Sequence, residues 1–264
     1  MDILKLKQPD TGLWTEWQAT VMDGLPNYCA DRLFVLQSCT NPAEVEHVLS
    51  IVKRNGELID VDGSQRDAQY GAMLFDTKYG KVTRMWADSN VEYDFLQRHL
   101  NKFFLQNATV MDVGAGYGRL AVSMSPHVKQ FIAVDSIPVS VACCKDYVAT
   151  WARTDNIQIL SVEDLYLMYK QNKVPKIELA MNIHSWNECS LETIEEWLQT
   201  LVKFNTDFLF TVSHGQLDAR FERAYYSWSN GASYRPLIEK YFQLFVEESI
   251  GITKHPHALW RRRT

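Results

Sequence analysis

The chain of 264 residues is 46% hydrophobic, 22% charged and 12% aromatic. This composition excludes a disordered or coiled-coil protein and is sufficient for one α/β domain with a smaller cap. The net charge of -5 lacks the positive footprint of proteins that grip a nucleic-acid backbone, which argues against a nucleic-acid partner without excluding one.

The chain has five cysteines, an odd number with no CxxC pair. This pattern favours reduced thiols over a disulfide framework or a zinc site. No stretch is apolar over the length of a signal peptide or a membrane span, so we expect a cytosolic protein without a membrane partner. The cysteines are Cys29, Cys39, Cys143, Cys144 and Cys189.

Residues 1–104 are predicted to form a cap of helices and a β-hairpin. An Asn-Pro pair at 41–42 is typical of a helix start, with the asparagine as N-cap and the proline at the first helical position. Residues 71–86 have the pattern of two short strands around a turn that contains Gly80. Residues 91–104 have the pattern of an amphipathic helix.

From residue 105 to residue 264 we predict one domain in which short apolar strands alternate with helices. Strands that are apolar on both faces and separated by helices indicate a parallel sheet covered on both sides. The last two strands are joined by a short segment containing Gly251 that leaves no room for a helix, so they must be antiparallel neighbours. The predicted strands are 109–113, 131–134, 157–160, 177–181, 208–212, 242–246 and 257–260.

A glycine-rich turn, Asp112 to Gly118, connects the first of these strands to a helix. Its glycines let the backbone turn tightly and approach a ligand where a Cβ atom would collide. The helix behind the turn offers unpaired N–H groups. Asp135 ends the next strand, where nucleotide-binding α/β proteins place an acid that accepts hydrogen bonds from ribose hydroxyls. The turn and the acid together predict a nucleotide-like ligand, against the alternative of a purely structural turn.

The spacing of the glycines separates two nucleotide-binding classes. A dinucleotide fold needs GxGxxG, but the sixth position counted from Gly114 is Arg119, whose long side chain obstructs close helix–strand packing. The segment DVGAGYG instead resembles motif I of the class I S-adenosylmethionine-dependent methyltransferases, which is GxGxG preceded by an acid. The resemblance covers residues 108–264. It implies a Rossmann-like α/β fold with a seven-stranded, mostly parallel sheet and a C-terminal antiparallel hairpin.

The resemblance also implies a set of residues that contact S-adenosylmethionine. Asp112 would lie near the amino group of the cofactor, and Asp135 would hold its ribose. Many relatives have an aspartate where this chain has Ser161, so Glu163 is an alternative partner for the adenine amino group. Glu163 and Asp164 also suit the N-terminus of a helix, which is the structural alternative. The full set is Asp112, Gly114, Ala115, Gly116, Gly118, Asp135, Ser136, Ile137, Ser161, Val162, Glu163 and Asn182.

Polar residues follow the fourth strand of the domain, at residues 182–190. Ligands of open α/β sheets bind at the carboxyl ends of the strands, so this loop is predicted to face the chemistry. His184 is the leading candidate for a general base because imidazole titrates near neutrality; the alternative is a loop histidine that touches only the cofactor. His214, just past the fifth strand, is the second candidate. Glu188 is predicted to orient His184, to bind a sugar hydroxyl or to cap the following helix.

Several other side chains near this edge have two interpretations each. Trp186 is predicted either to stack on the acceptor or to pack in the core. The aromatic run at 225–228 would line an acceptor pocket or pack a helix. His255 and His257 are predicted to be structural, and Arg84 is a candidate for binding the cofactor carboxylate.

The loop from Ser185 to Cys189 is similar to a bacterial group of sugar O-methyltransferases, which have a serine, an aromatic residue and a glutamate followed by a hydrophobic residue here. The likeness implies a small-molecule acceptor, a sugar or another hydroxyl compound. The alternatives are N-methylation of a small molecule, for which a histidine base is dispensable, and a non-catalytic module that binds S-adenosylmethionine. The adenine methylases of nucleic acids are disfavoured because their Pro-Pro-aromatic continuation is absent after Asn182.

The sequence also bears on whether the activity needs a metal ion. Some sugar methyltransferases hold Mg²⁺ with carboxylates. The sequence has no tight group of Asp and Glu residues at the predicted rim, so we expect no metal and metal-independent activity.

The cap is expected to close over the cofactor and to shape the acceptor pocket. The oligomeric state is left open.

Overall fold

The protein is described from a computed structural model, which covers residues 40–214 and 224–263. Cys29 and Cys39 lie outside these described residues, as does the first part of the predicted cap. Cys143 and Cys144 are buried free thiols, as predicted, and Cys189 is also buried. Among the described helices, none has the length and apolarity needed to span a bilayer.

Within the described residues the chain forms eight α-helices and eleven strands. The helices are α1 Pro42–Asn55, α2 Arg84–Leu100, α3 Lys102–Asn107, α4 Arg119–Met124, α5 Pro138–Trp151, α6 Val162–Lys170, α7 Leu191–Lys203 and α8 Arg235–Tyr241. The strands are β1 Leu74–Thr77, β2 Gly80–Thr83, β3 Thr109–Val113, β4 Gln130–Asp135, β5 Ile157–Ser161, β6 Leu179–Ile183, β7 Phe208–Val212, β8 Tyr226–Ser227, β9 Ala232–Ser233, β10 Phe242–Ile250 and β11 His255–Arg262.

The first helix and the hairpin form largely as predicted. The Asn41 side chain accepts a hydrogen bond from Ala43 N at 2.9 Å and caps α1. β1 and β2 pair antiparallel, but the second strand ends at Thr83. The prediction that the hairpin extends to residue 86 was wrong, because the Thr83 hydroxyl accepts a hydrogen bond from Trp86 N at 3.3 Å and starts α2 instead.

The predicted helix at 91–104 is two helices separated by a break. Asn101 has a φ of 58°, which ends α2, and its side chain accepts a hydrogen bond from Phe104 N at 2.9 Å, which starts α3. One face of α2 packs on the sheet, where the Phe95 ring stacks on Phe210 of β7 with centroids 5.3 Å apart. The described part of the cap therefore shares a hydrophobic core with the sheet.

Seven strands form one sheet in the order β10-β11-β7-β6-β3-β4-β5. Strands β3 to β7 are parallel to their neighbours within this group, whereas β11 lies antiparallel between β7 and β10. This is the sheet of the class I methyltransferase fold, so the predicted fold class is confirmed. The chain changes direction across the sheet after β5, which places the topological switch point between β3 and β6, at their carboxyl ends.

The ends of five strands differ from the predictions: β4 is longer by one residue at each end and β5 by one residue at its end. β6 begins at Leu179 rather than at residue 177. β10 and β11 extend past their predicted bounds because they pair with each other along their length, from Phe242 opposite Arg262 to Ile250 opposite His255. The longer β11 starts at the sheet edge where β6 and β7 end.

A buried ion pair joins α2 to the helix behind the glycine turn. Arg119, the first residue of α4, donates from Nη1 and Nη2 to the Glu92 carboxylate at 2.8 and 3.1 Å. Arg119 Nη1 also donates to Ser89 Oγ at 2.7 Å. Since the Glu92 side chain is only 4% exposed, its charge depends on this partner. The residue that argues against a dinucleotide motif thus anchors the glycine turn to α2.

Replacing Glu92 with glutamine should destabilise the fold by about 3–5 kcal/mol, because it leaves the Arg119 guanidinium buried without its counter-charge. Urea denaturation followed by circular dichroism measures the loss. The matched control is Asp76→Asn, which removes the exposed pair with Lys81 and should change the free energy of unfolding by less than about 0.5 kcal/mol. A similar small loss for both variants would contradict the anchoring role of the Arg119–Glu92 pair.

Candidate active site

The glycine turn between β3 and α4 has the conformation that its sequence indicates. Gly114, Gly116 and Gly118 have φ angles of 81, 56 and 91°, in the left-handed region that favours glycine. A Cβ atom on Gly118 would lie 2.7 Å from Cys144 Sγ on α5. The turn therefore lies close against α5 at Gly118, where a side chain has no room.

Asp135, at the end of β4, lies directly beside this turn. Its Oδ2 accepts a hydrogen bond from Gly116 N and its Oδ1 accepts one from Ile137 N, both at 2.9 Å. Burial raises the pKa of the Asp135 carboxyl to about 6, against the effect of these amide donors. The structure thus brings together the acid and the turn that the sequence pairs, with Ser136 and Ile137 continuing along the same edge.

Asp112, at the end of β3, is buried with one oxygen unsatisfied. The residue is 4% exposed, and its Oδ1 has no hydrogen-bond partner among the described residues. Burial raises the pKa of its carboxyl to about 7; the Arg119 charge opposes the rise, while Glu92 and Asp135 add to it. A buried carboxyl oxygen without a partner is a group that a cationic ligand would satisfy.

At the end of β5, Ser161 and Asp164 start the helix α6. Ser161 Oγ accepts a hydrogen bond from Asp164 N at 3.0 Å, and Asp164 Oδ2 accepts one from Ser161 N at 3.2 Å. This reciprocal pair is a capping box. Val162 is buried, whereas Glu163 is exposed and presents its carboxylate at the surface.

The loop after β6 is fastened to the glycine turn by one amide. Asn182 Nδ2 donates to Val113 O at 2.8 Å and to Ser185 Oγ at 2.5 Å. Its Oδ1 accepts a hydrogen bond from Trp186 N at 3.1 Å. Because of this close approach, a Cβ atom on Gly114 would lie 2.2 Å from Ser185 Oγ. The Asn182 side chain, predicted to contact the cofactor, is engaged in holding the loop.

Both candidate bases lie at this edge of the sheet, together with a third histidine. The His184 and His214 rings stack with centroids 4.2 Å apart. The His255 ring is 4.9 Å from His184 and 5.4 Å from His214. One ligand nitrogen from each ring lies within 4.8 Å of the other two, and this group contains no carboxylate from the described residues. We call His184, His214 and His255 the histidine cluster.

The backbone at His184 is unusual for a residue with a side chain. Its φ is 65°, and its N–H donates to Val212 O at 2.7 Å, which fixes this conformation. Burial lowers the pKa of His184 well below its usual range, with the charges of His214 and His255 acting in the same direction. Burial also lowers the pKa of His214 to about 3. Both imidazoles are therefore neutral at pH 7.

The sheet topology explains why His255 joins the cluster. His184 follows β6 and His214 follows β7, whereas His255 is the first residue of the antiparallel β11. The end of one strand and the start of its antiparallel neighbour meet at the same edge, and Ser213 N donates to Pro256 O at 3.3 Å. The sequence predicts a structural role for His255, because the hairpin pattern alone does not give the register that brings it to the ends of β6 and β7. His257, by contrast, packs in the core against Phe95 and Phe210.

Of the aromatic candidates, some are buried in the core and one is exposed at the edge of the sheet. Trp186 is 1% exposed and packs edge-on against Tyr234, so its interpretation as a core residue is the correct one. Tyr225 is also fully buried. Trp228 is 44% exposed and stacks on His214 with centroids 5.1 Å apart. Of the predicted aromatic run, Trp228 therefore borders the histidine cluster.

The remaining predicted residues lie around this edge in different roles. Glu188 is 4% exposed within the turn Ser185–Glu188 and does not belong to the histidine cluster. Arg84 pairs with Asp88 at 3.4 Å, and its charge contributes to the lowered pKa of His214. Ser190 caps α7 by accepting a hydrogen bond from Thr193 N, so Glu188 is not needed as the cap.

Comparisons with known proteins bear on the fold. No family model and no curated sequence matches this chain. The magnesium protoporphyrin IX methyltransferase of Synechocystis PCC 6803, solved with bound S-adenosylmethionine, is 13% identical with a TM-score of 0.48, over 82% of this chain and 97% of that one. TehB of Haemophilus influenzae is 13% identical with a TM-score of 0.48, over 69% and 68% of the two chains. The ribosomal protein L11 methylase of Lactobacillus delbrueckii is 15% identical with a TM-score of 0.45, over 66% and 80%.

Replacing Gly114 with alanine should destabilise the protein more than the same change at Gly80. Both glycines have positive φ, which costs an alanine about 1–2 kcal/mol. Only at Gly114 does the new Cβ overlap the Ser185 side chain, whereas nothing lies within 4 Å of Gly80. We expect an excess loss of at least about 1 kcal/mol, by analogy with overpacking, measured by chemical denaturation.

The double variant Gly114→Ala/Ser185→Gly removes the atoms that the new methyl group meets. Ser185→Gly alone loses the hydrogen bond from Asn182 Nδ2, so the double variant is compared with that single variant. Relative to Ser185→Gly, adding Gly114→Ala should cost only the left-handed backbone. Equal losses for Gly114→Ala and Gly80→Ala would show that the loop after β6 does not press on the glycine turn.

Proposed function

We propose that this chain is an S-adenosylmethionine-dependent methyltransferase that methylates a hydroxyl group of a sugar or another small polar compound. Support comes from the class I strand order and from a glycine turn beside a buried acid at the switch point of the sheet. The single observation that carries the proposal is the buried Asp112 Oδ1 beside that turn, which has no partner among the described residues.

The charge of the cofactor matches this oxygen. A buried polar group without a hydrogen bond costs about 1–3 kcal/mol, and more if it is charged. The α-ammonium of S-adenosylmethionine supplies the missing donor and favours the ionised form of Asp112. Asp135 accepts one amide on each oxygen, which leaves lone pairs for the ribose hydroxyls.

The other parts of the cofactor follow the same edge. We assign its methionine part to the backbone of the glycine turn and its adenosine to the ends of β4 and β5. Glu163, which is exposed, is the carboxylate available to the adenine amino group, since Ser161 and Asp164 cap α6. The residues assigned to it with Asp112 and Asp135 are Gly114, Ala115, Gly116, Gly118, Ser136, Ile137, Ser161, Val162 and Glu163, while Asn182 holds the adjoining loop.

We assign the methyl acceptor to the neighbouring edge, where β6 and β7 end. Methyl transfer is an in-line displacement that depends mainly on alignment of the reacting atoms. A hydroxyl acceptor must also lose its proton, and the neutral imidazoles of the histidine cluster can accept it, although burial lowers the pKa of His184 and His214 and weakens them as bases. The exposed face of Trp228 beside His214 suits stacking against a sugar ring. Glu188 is a candidate for a polar contact to the acceptor.

The packing of the cap, the net charge and the buried thiols are consistent with a small acceptor in a reducing compartment. The segment before the hairpin packs on the cofactor side, where Tyr147 of α5 donates to Asp67 at 2.7 Å. We propose that residues 1–104 serve as the cap over the site. The net charge of -5 disfavours a nucleic-acid acceptor, and the buried thiols of Cys143 and Cys144 suit the cytosol.

The affinity for S-adenosylmethionine should rise between pH 6 and pH 7.5. Below its pKa of about 7 the Asp112 carboxyl is protonated, and binding of an ammonium must release that proton. We expect affinity to increase about fivefold to tenfold over this range, measured by isothermal titration calorimetry in buffers of different ionisation enthalpy. Asp135, with a pKa of about 6, contributes in the same direction near the lower end.

Asp112→Asn is the matched variant for this experiment, because it keeps the shape and removes the charge. It should bind the cofactor at least tenfold more weakly and lose most of the pH dependence. Wild-type affinity in this variant would argue against the assigned place of the ammonium.

Replacing His184 with asparagine should lower kcat for methyl transfer by about 10²–10⁴-fold while leaving cofactor affinity within threefold. Asparagine tolerates the left-handed backbone at this position, so the variant tests the imidazole rather than the fold. Transfer of labelled methyl groups to a panel of sugars and other hydroxyl compounds measures the effect. The control is His47→Ala, an exposed histidine on α1. Unchanged turnover in His184→Asn would favour an acceptor nitrogen that needs no histidine.

A further inference from the structure

We propose that the histidine cluster binds a divalent transition-metal ion of the Zn²⁺ type, at the edge of the sheet assigned to the methyl acceptor. The place of this ion in the reaction rests on the proposed function, but its binding to the three imidazoles does not. The expectation of metal-independent activity rests on the lack of a tight group of carboxylates, whereas the possible ligands in the histidine cluster are imidazoles.

The spacing of the three rings is close to that of a metal site. One nitrogen from each of His184, His214 and His255 lies within 4.8 Å of the other two. A tetrahedral Zn²⁺ with bonds of about 2.0–2.1 Å holds its ligand nitrogens about 3.4 Å apart. His184 and His214 are stacked at 24° between their planes, so binding requires their rings to rotate until the lone pairs converge. A change of this size lies within the range of side-chain rotation.

His184 supplies a second, independent observation. Its Nδ1 is buried and has no hydrogen-bond partner among the described residues. Buried polar side-chain atoms are nearly always partnered, and an unsatisfied one in a folded protein calls for a water or an ion. A metal ion would occupy the lone pair of this nitrogen.

The backbone conformation at His184 is a further observation. His184 has a φ of 65°, a conformation that costs a residue with a Cβ about 1 kcal/mol or more. The hydrogen bond from His184 N to Val212 O and the Asn182–Ser185 contact hold the strained turn in place. His214 and His255 lie two residues beyond the last pair of β7 and β11, which is Val212 opposite His257. The backbones of the three histidines are therefore placed beside one another by the strand ends, while their rings rotate to converge on an ion.

The ligand type selects the class of metal. Three imidazoles without a carboxylate suit Zn²⁺ and related transition metals, whereas Mg²⁺ and Ca²⁺ prefer oxygen ligands. Three protein ligands also leave a fourth position open, which distinguishes a catalytic site from a closed structural one. Two arginines act on the cluster from nearby, Arg84 on His214 and Arg119 on His184, but each is paired with a carboxylate, Asp88 and Glu92 respectively.

The open position gives the ion a direct role in the proposed reaction. An acceptor hydroxyl bound there has a lowered pKa and releases its proton to water. The oxygen then forms the bond to the methyl carbon as the methyl–sulfur bond breaks, with that electron pair remaining on sulfur. In this arrangement the histidines act as ligands rather than as general bases. His255, which the general-base hypothesis does not require, becomes as necessary as His184.

The test uses the full chain, purified without a histidine tag, stripped of metal and titrated with Co²⁺ and then with Zn²⁺. We expect one Co²⁺ per chain with the visible absorption of a four-coordinate ion, displaced by Zn²⁺. His184→Asn, His214→Ala and His255→Ala should each weaken binding at least tenfold, and His47→Ala should leave it unchanged. Cofactor affinity, measured on every variant, shows that each one is folded.

Methyl transfer is measured in parallel on the stripped and the Zn²⁺-loaded protein. Transfer that is lost on stripping, restored by Zn²⁺ and lost in His255→Ala supports the catalytic role. Absence of Co²⁺ binding, or binding that is unaffected by the three variants, overturns the metal site while leaving the proposed function intact. Full transfer by the stripped protein overturns the role of the ion in the reaction. A cluster-dependent Co²⁺ spectrum without transfer to any acceptor supports the site and counts against the proposed function.

Discussion

The contact between Gly114 and Ser185 is the constraint on which both halves of the candidate site depend. A Cβ atom at Gly114 would lie 2.2 Å from Ser185 Oγ, so only glycine permits this approach. The Asn182 amide fixes the same contact by binding Val113 O and Ser185 Oγ together. The turn that we assign to the cofactor and the loop that carries His184 are thereby held at one distance. Methyl transfer requires its reacting atoms in line and about 3–3.5 Å apart, which a fixed spacing of this kind supplies.

The buried charges divide the sheet edge into two environments. Asp112 and Asp135, at the ends of the neighbouring strands β3 and β4, form an acidic region that suits a cationic cofactor. The Arg119 charge acts against the raised pKa of Asp112, but its guanidinium forms its hydrogen bonds with Glu92 on α2. Across the switch point, at β6 and β7, the ionisable groups are imidazoles kept neutral by burial. The acidic ends of β3 and β4 and the neutral imidazoles at the ends of β6 and β7 thus lie on either side of the switch point.

Local signals located most of the elements. The Asn-Pro start of α1, the glycine turn and the apolar strands each depend on residues within one turn or one strand, and the structure follows the prediction there. Two of the differences lie where a single side chain stops or starts an element. Thr83 caps α2 and so ends β2 three residues before the prediction, and Asn101 divides one predicted helix into two. A hydroxyl or an amide at such a position has several possible partners, and its choice depends on the packing of the surrounding chain.

By itself the sequence determined the class of sheet, the turn with its acids Asp112 and Asp135, and the position of His184 and His214 at strand ends. Periodicity, glycine spacing and the order of the elements are sufficient for these, because each is a property of a short segment or of the chain order. Only the tertiary structure decided that Trp186 belongs to the core, that Trp228 borders His214, and that His255 joins the two candidate bases. The last contact exists because β11 runs antiparallel beside β7 and begins where β7 ends. A contact between residues so far apart in the chain depends on the register of the finished sheet, which no local pattern encodes.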